Sequence, residues 1–241
     1  MPALPHALLF DLDDTLIRAY AQPEEAWTRL LKVFAVELDA HDEASIERVR
    51  TAAMDEARAF WSDPAVAAQW RLNIPGARRL SVTRALEKLG RADEDLAHRI
   101  ADAFTELRHR EYRLYPDALA TVDALRAAGV KLALVTNGHG ETQRAKIARF
   151  DLEHRFDHIQ IEGEFGQGKP ELAVYRHAME RLGAEPATTW MVGDNYEWEV
   201  VAPRALGMCG IWYNPFEVEI PAHATRPTRV IKRLGELLED S

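Results

Sequence analysis

Two carboxylates, Asp11 and Asp13, stand two residues apart where the apolar run Leu8-Leu9-Phe10 ends, and Asp14 and Thr15 follow them. Like charges that close in one loop repel, so something of opposite sign must compensate for them. A hard divalent cation with oxygen ligands is the usual partner, and Mg2+ is the ordinary cellular choice. One carboxylate can then act as metal ligand and nucleophile while the other moves protons. The competing reading is an acidic turn or helix cap, positions that Asp and Thr favour.

The elements around these residues must place them at the edge of a core. A short apolar run reads as a buried strand, which makes residues 7–10 the first strand. Helical patterns dominate the next stretch. Pro23 with Glu24 and Glu25 marks a helix start, and Trp27, Leu30, Leu31 and Phe34 follow at helical spacing. Residues 43–60 and 93–112 read as further long helices, with Pro64 and Pro75-Gly76 as turns between helices. No convincing alternating strand occurs in this part. From Tyr115 onward, helices alternate with short apolar runs at 131–135, 159–161, 190–192 and 210–213. Such alternation indicates a parallel sheet wrapped by helices. The expected fold is therefore α/β, a Rossmann-like parallel sheet core with helices on both faces. An all-helical segment, residues 19–113, is inserted into a core made of residues 1–18 and 114–241.

In a sheet of this kind, ligands bind beyond the carboxyl ends of the strands. Thr136-Asn137-Gly138 ends one strand and offers a hydroxyl and main-chain amides to an anion. Gly193-Asp194-Asn195 ends another and supplies a further carboxylate. Between them Lys169 precedes Pro170, which is expected to set the first turn of a helix that stops at Gly183. A lysine beside a helix N-terminus favours a bound phosphate. Each piece alone has an ordinary reading as a turn or a solvated charge. Their order along the chain and their common position at strand ends carry the argument.

Together these residues resemble the motifs of the haloacid dehalogenase-like superfamily of phosphohydrolases. Asp11-Leu12-Asp13-Asp14-Thr15 resembles its first motif and Thr136-Asn137-Gly138 its second. Lys169-Pro170 resembles the third, and Gly193-Asp194-Asn195 the start of the fourth. The helical insert resembles the family's cap. The run Thr142-Gln143-Arg144-Ala145-Lys146-Ile147 is similar to the branch with nucleotidases and N-acylneuraminate phosphatases, and reads equally well as an ordinary charged helix face.

The resemblance implies a full set of roles. Asp11 is the nucleophile that forms an aspartyl-phosphate, and Asp13 protonates the leaving alcohol and then deprotonates water. Mg2+ is held by Asp11, the main-chain carbonyl of Asp13, and Asp194. Thr136, Lys169 and the amides near Asp13 and Asn137 bind the phosphoryl oxygens. Lys169 is also expected to keep Asp11 ionised by lowering its pKa. A departure follows the fourth motif, where the family commonly has a second Asp and this chain has Trp198-Glu199. Glu199 or Glu197 is the replacement, according to helical phase. Pro203 shortens or kinks that helix.

Asp13 separates the chemistries of this superfamily. Halide leaves without a proton, so a dehalogenase has no need of an acid there, whereas a phosphate ester does. A sugar phosphomutase shares the whole constellation and stays open as the alternative, beside a haloacid dehalogenase. A non-catalytic binding module would have lost Asp11, Asp13 or Lys169, and all are present. The expected activity is hydrolysis of a small phosphorylated metabolite, a 5'-nucleotide or sugar phosphate, because a large cap shuts out bulky substrates. Trp27, Phe60, Trp61 and Trp70 could stack on a base or sugar but read more readily as packing. Arg18, Arg71, Arg78 and Arg79 could meet a second anionic group or form surface ion pairs. His139 is the histidine nearest the second motif.

Composition excludes several other classes. The chain has 241 residues, 47% of them hydrophobic and 29% charged, enough for a core and a solvated surface. A net charge of −9 argues against a nucleic-acid partner. No stretch approaches the roughly 18 apolar residues that span a bilayer, and Met1–His6 does not resemble a signal peptide. The single cysteine, Cys209, excludes an internal disulfide and reads as a buried small side chain. A cytoplasmic monomer or homodimer is expected. None of the nine histidines is assigned to zinc.

Overall fold

The apolar run at the start of the chain forms β1 (Ala7–Phe10), and all of its side chains are buried. The structure is a computed structural model that describes residues 4–220 and 225–239. In chain order, β2 (Ile17–Arg18) is followed by α1 (Glu24–Val33), α2 (Glu43–Ser62), α3 (Pro64–Trp70), α4 (Ile74–Lys88) and α5 (Glu94–Glu111). Next come β3 (Arg113–Leu114), α6 (Ala118–Ala127), β4 (Lys131–Thr136), α7 (Gly140–Arg149), β5 (His158–Ile161), α8 (Glu162–Phe165) and α9 (Leu172–Leu182). Then follow β6 (Thr189–Gly193), a π-helical turn (Glu197–Val201), α10 (Ala202–Ala205), β7 (Cys209–Tyr213), β8 (Arg229–Ile231) and a 3-10 turn (Leu234–Leu238). It divides into two units, Met1–Arg18 with Arg113–Ser241, and Ala19–Tyr112.

The first unit is an α/β sandwich built on a six-stranded sheet of order β5-β4-β1-β6-β7-β8, with every neighbouring pair parallel. Burial on both faces explains why its central strands are apolar without alternation. In β1, Leu8 is in register with Leu132 on one side and Trp190 on the other. From β1 the order runs outward through β4 and β5 on one side and through β6, β7 and β8 on the other. The carboxyl end of β1 is therefore the topological switch point, where the flanking loops part and leave a crevice. On α9 the buried residues Val174, Tyr175, Ala178, Met179 and Leu182 recur at helical spacing and pack on this sheet.

The second unit contains helices α1 to α5 and no strand among the described residues. Asp42, Asn73 and Asp93 accept main-chain N–H bonds at the starts of α2, α4 and α5. The inward faces gather Leu31, Ile46, Leu86, Ile100 and Phe104 into one core. Trp27 and Phe104 stack within it, with ring centroids 3.8 Å apart.

Several local expectations are corrected. Pro64 and Pro75-Gly76 do not lie in turns between helices; Pro64 opens α3, and Pro75-Gly76 lie in the first turn of α4. There a missing N–H costs nothing and the fixed φ suits the helix. Pro170 does not set the first turn of α9, which begins at Leu172. Residues 17–18 and 113–114 pair as antiparallel strands, Ile17 with Leu114 and Arg18 with Arg113. Segments of that length carry no readable alternation. Cys209 is half-buried, because it starts β7 at the sheet margin.

Truncation of Phe104 to alanine removes the partner of Trp27 from the helical core. A loss of about 3–5 kcal/mol of stability is expected, measurable by denaturant unfolding.

Candidate active site

The carboxyl end of β1 feeds a tight turn. The Asp11 N–H donates to the Val192 carbonyl at 3.0 Å, and the Leu16 and Ile17 N–H groups donate to the Leu12 carbonyl at 3.0 and 2.9 Å. Asp14 adopts a left-handed φ of 58°, a conformation that Asp tolerates better than most residues. Thr15 ties this turn to the end of β6. Its hydroxyl donates to Asp11 Oδ2 at 3.0 Å and accepts from the Asp194 N–H at 3.1 Å.

Lys169 reaches the same point from the loop before α9. Its Nζ lies 2.6 Å from Asp11 Oδ1 and 2.8 Å from Glu199 Oε1, and both Lys169 and Glu199 are 0% exposed. Asn137 fixes the lysine's main chain by exchanging two hydrogen bonds with it. Asn137 Nδ2 donates to the Lys169 carbonyl at 2.8 Å, and the Lys169 N–H donates to Asn137 Oδ1 at 2.7 Å. The π-helical turn lengthens one turn of the chain and brings Glu199 inward, while Glu197 stays exposed. Tyr175 supports that turn by donating its hydroxyl to the Trp198 carbonyl at 2.5 Å. One lysine thus offsets only part of the charge of the two acids.

Burial and charge act against each other here. Burial raises the Asp11 pKa, and the opposing pull of Lys169 does not cancel it, so the net direction is upward. The lysine therefore opposes the neutral form of Asp11 without bringing its pKa below the ordinary value, contrary to the expectation from pairing alone. Glu199 is likewise pushed up by burial, to about 7, against the pull of Lys169. For Lys169 burial is outweighed by its two acidic partners, and its pKa rises. Asp194 is raised well above its ordinary value, by desolvation first and then by the charges of Asp11, Glu199 and Asp14. Asp194 is itself exposed at the end of β6, and the like charges beside it favour its neutral form.

A divalent cation would relieve this excess of negative charge. Glu199 Oε2 is buried and has no hydrogen-bond partner, a further sign of a local deficit of positive charge. Among the described residues no group of three or more His, Cys, Asp or Glu side chains forms a ready-made metal cage. Mg2+ does not require one, because it ordinarily takes one or two protein carboxylates and keeps waters or substrate oxygens. Asp11, Asp194 and a main-chain carbonyl are an all-oxygen donor set of that kind.

Asp13 is held by different groups. Lys146 Nζ lies 2.7 and 2.8 Å from its two carboxylate oxygens, and Gln143 Nε2 donates to Oδ2 at 2.9 Å. Gln143 Nε2 also donates to the Thr136 hydroxyl at 2.6 Å, which links Asp13 to the end of β4. Neither residue type announces this role in the sequence, where the run Thr142–Ile147 is the one signal. That run is not a uniformly solvated face, since Gln143 and Lys146 are buried while Arg144 pairs with Glu164 at the surface.

The other candidates have mostly structural surroundings. Trp27 and Phe60 are buried, and Phe60 meets Trp61 and Trp70 edge-on. Arg79 pairs with Asp102 through two bonds of 2.7 Å. Arg78 donates to the Thr105 hydroxyl at 2.6 Å and lies over the Phe104 ring, and desolvation lowers its pKa. His139 is exposed just before α7.

Gly193 leaves the space in which these groups converge. A Cβ there would stand 2.2 Å from Glu199 Cγ and 2.8 Å from Asp11 Cβ. Gly193→Ala is expected to cost about 1–3 kcal/mol of stability through overpacking, read by denaturant unfolding.

Comparison with known proteins bears on the same core. The family model for haloacid dehalogenase-like hydrolases matches residues 5–207. A phosphoserine phosphatase from Thermus thermophilus is 34% identical over 219 residues, which cover 85% of this chain and 87% of that protein. A pyrimidine 5'-nucleotidase from Escherichia coli is 26% identical over 235 residues, 95% of each chain. The crystal structure of a magnesium-bound HAD-hydrolase from Bacillus subtilis superposes with a TM-score of 0.72 at 22% identity, covering 98% of this chain and 97% of that one. The chain, with Asp11 at the switch point of a parallel α/β sheet, belongs to the haloacid dehalogenase-like hydrolases.

Proposed function

We propose that the protein is a Mg2+-dependent phosphatase that hydrolyses a small phosphorylated metabolite by way of an aspartyl-phosphate. The observation that carries this reading is the pair Asp11 and Asp13, two carboxylates of one turn, each ion-paired to its own buried lysine. A dehalogenase would need only the first of them. The phosphoserine phosphatase and pyrimidine 5'-nucleotidase relatives support a phosphate monoester as substrate. We read the helical unit as the cap of the family, and a 5'-nucleotide, sugar phosphate or phosphorylated amino acid as the substrate class.

In this mechanism Asp11 attacks phosphorus, and the P–O bond to the alcohol breaks as a bond to Asp11 forms. Asp13 gives its proton to the departing oxygen. Water then attacks the phosphorus of the aspartyl-phosphate, Asp13 takes the proton, and Asp11 and inorganic phosphate are released. Thr136, Lys169 and the amides of the turn after β1 and of Asn137 bind the phosphoryl oxygens. Glu199 holds Lys169 together with Asp11. Mg2+, held by Asp11, Asp194 and the Asp13 carbonyl, would supply charge neutralisation at the phosphoryl group.

Phosphate release from a panel of nucleotides, sugar phosphates and phosphorylated amino acids tests the reading. Chelation by EDTA is expected to stop turnover and added Mg2+ to restore it. Asp11→Asn is expected to fold and to lose activity by on the order of 10⁴-fold. Turnover that survives either treatment contradicts the mechanism.

A further inference from the structure

Two buried polar side chains on α7 serve no purpose in that helix itself. Gln143 and Lys146 are three residues apart, so they share one face, and they are 2% and 3% exposed. Burying an ammonium group costs several kcal/mol unless it is paired. Lys146 is paired here with both oxygens of Asp13, at 2.7 and 2.8 Å. Gln143 holds one of the same oxygens at 2.9 Å while bonded to the Thr136 hydroxyl and, at 3.0 Å, to the Asn137 carbonyl. A short aspartate at the end of a turn has freedom about two side-chain torsions. Three bonds from one rigid helix face remove that freedom. Because α7 begins directly after Thr136-Asn137-Gly138, the loop that would bind phosphoryl oxygens also aims these two residues.

We propose that Lys146 and Gln143 are positioning residues that fix the Asp13 carboxyl group for proton transfer to the leaving oxygen. The proposal rests on the phosphatase reading above, in which Asp13 donates that proton as the P–O bond breaks. Neither residue touches the reacting atoms; both act through Asp13. A merely structural pin between α7 and the turn after β1 would hold the fold together but would not make the rate depend on the leaving group.

That distinction sets the experiment. An alkyl phosphate releases a strongly basic alkoxide, which needs the proton, whereas 2,4-dinitrophenyl phosphate releases 2,4-dinitrophenoxide, a stable anion that does not. The ratio kcat/KM reports the steps through phosphoryl transfer to Asp11, so the two esters are compared on that ratio. Lys146→Met is expected to lower it for the alkyl ester at least about tenfold more than for the dinitrophenyl ester, a part of the 10²–10⁴ that a general acid supplies. Gln143→Met should show the same selectivity more weakly, and it serves if Lys146→Met does not fold. Lys146→Arg should recover most of the alkyl-ester rate. Arg144→Met, on the exposed side of α7, should leave both esters unaffected.

Asp13→Asn is measured beside them. If it shows the selective loss and the Lys146 and Gln143 variants lose both esters equally or neither, the positioning role is overturned and the phosphatase reading stands. If Asp13→Asn shows no selectivity, the assignment of Asp13 as the acid fails and the positioning role fails with it. Selective loss in Arg144→Met would also overturn the proposal, since it would place the effect in the helix as a whole.

Discussion

Lys169 has no exposed surface, and its ammonium lies between Asp11 and Glu199. A buried cation of this kind is tolerated only when its partners are fixed close by and every element that carries them is held in place. Much of the local structure can be read as meeting that condition. Gly193 has no side chain where a Cβ would collide with both acids. The π-helical turn brings Glu199 inward, Asn137 locks the lysine's main chain from two sides, and Tyr175 holds the turn behind Glu199. Removing Lys169 would leave two buried carboxylates without their shared cation, at a general cost of about 3–5 kcal/mol.

The sheet explains why such distant residues converge. β1 is the central strand of the switch, so its carboxyl end opens between the loops that follow β4 and β6. Asp11 comes from the first loop, Thr136 and Asn137 from the second, Lys169 from the segment before α9 and Asp194 from the loop after β6. The two carboxylates of the first turn are served by lysines from different parts of the chain, Lys169 for Asp11 and Lys146 for Asp13. This separate pairing lets two acids two residues apart keep different surroundings, and different surroundings allow different roles.

The parallel sheet and the residues at its strand ends were legible in the sequence because apolar runs, glycines and carboxylates recur in fixed order. Other features were not. Whether Glu199 or Glu197 faces inward depended on a π-helical turn, which no periodicity based on an ordinary helix can anticipate. The burial of Gln143 and Lys146 was hidden because a charged side chain on a helix usually faces water, and only the tertiary position of α7 reverses that. Pro64 and Pro75 do not announce helix starts in the sequence, because the same residue that ends one helix also begins the next. The net upward direction of the Asp11 pKa needed a measure of burial, which the sequence of a loop does not contain.

Rapid acid quench during turnover of a phosphate monoester in Mg2+, followed by peptide mass spectrometry, tests the role of Asp11 most directly. A single phosphoryl group on the peptide that contains Asp11, absent from the Asp11→Asn protein, is the expected result. Turnover that leaves this peptide unmodified while another residue carries the phosphoryl group would contradict Asp11 as the nucleophile.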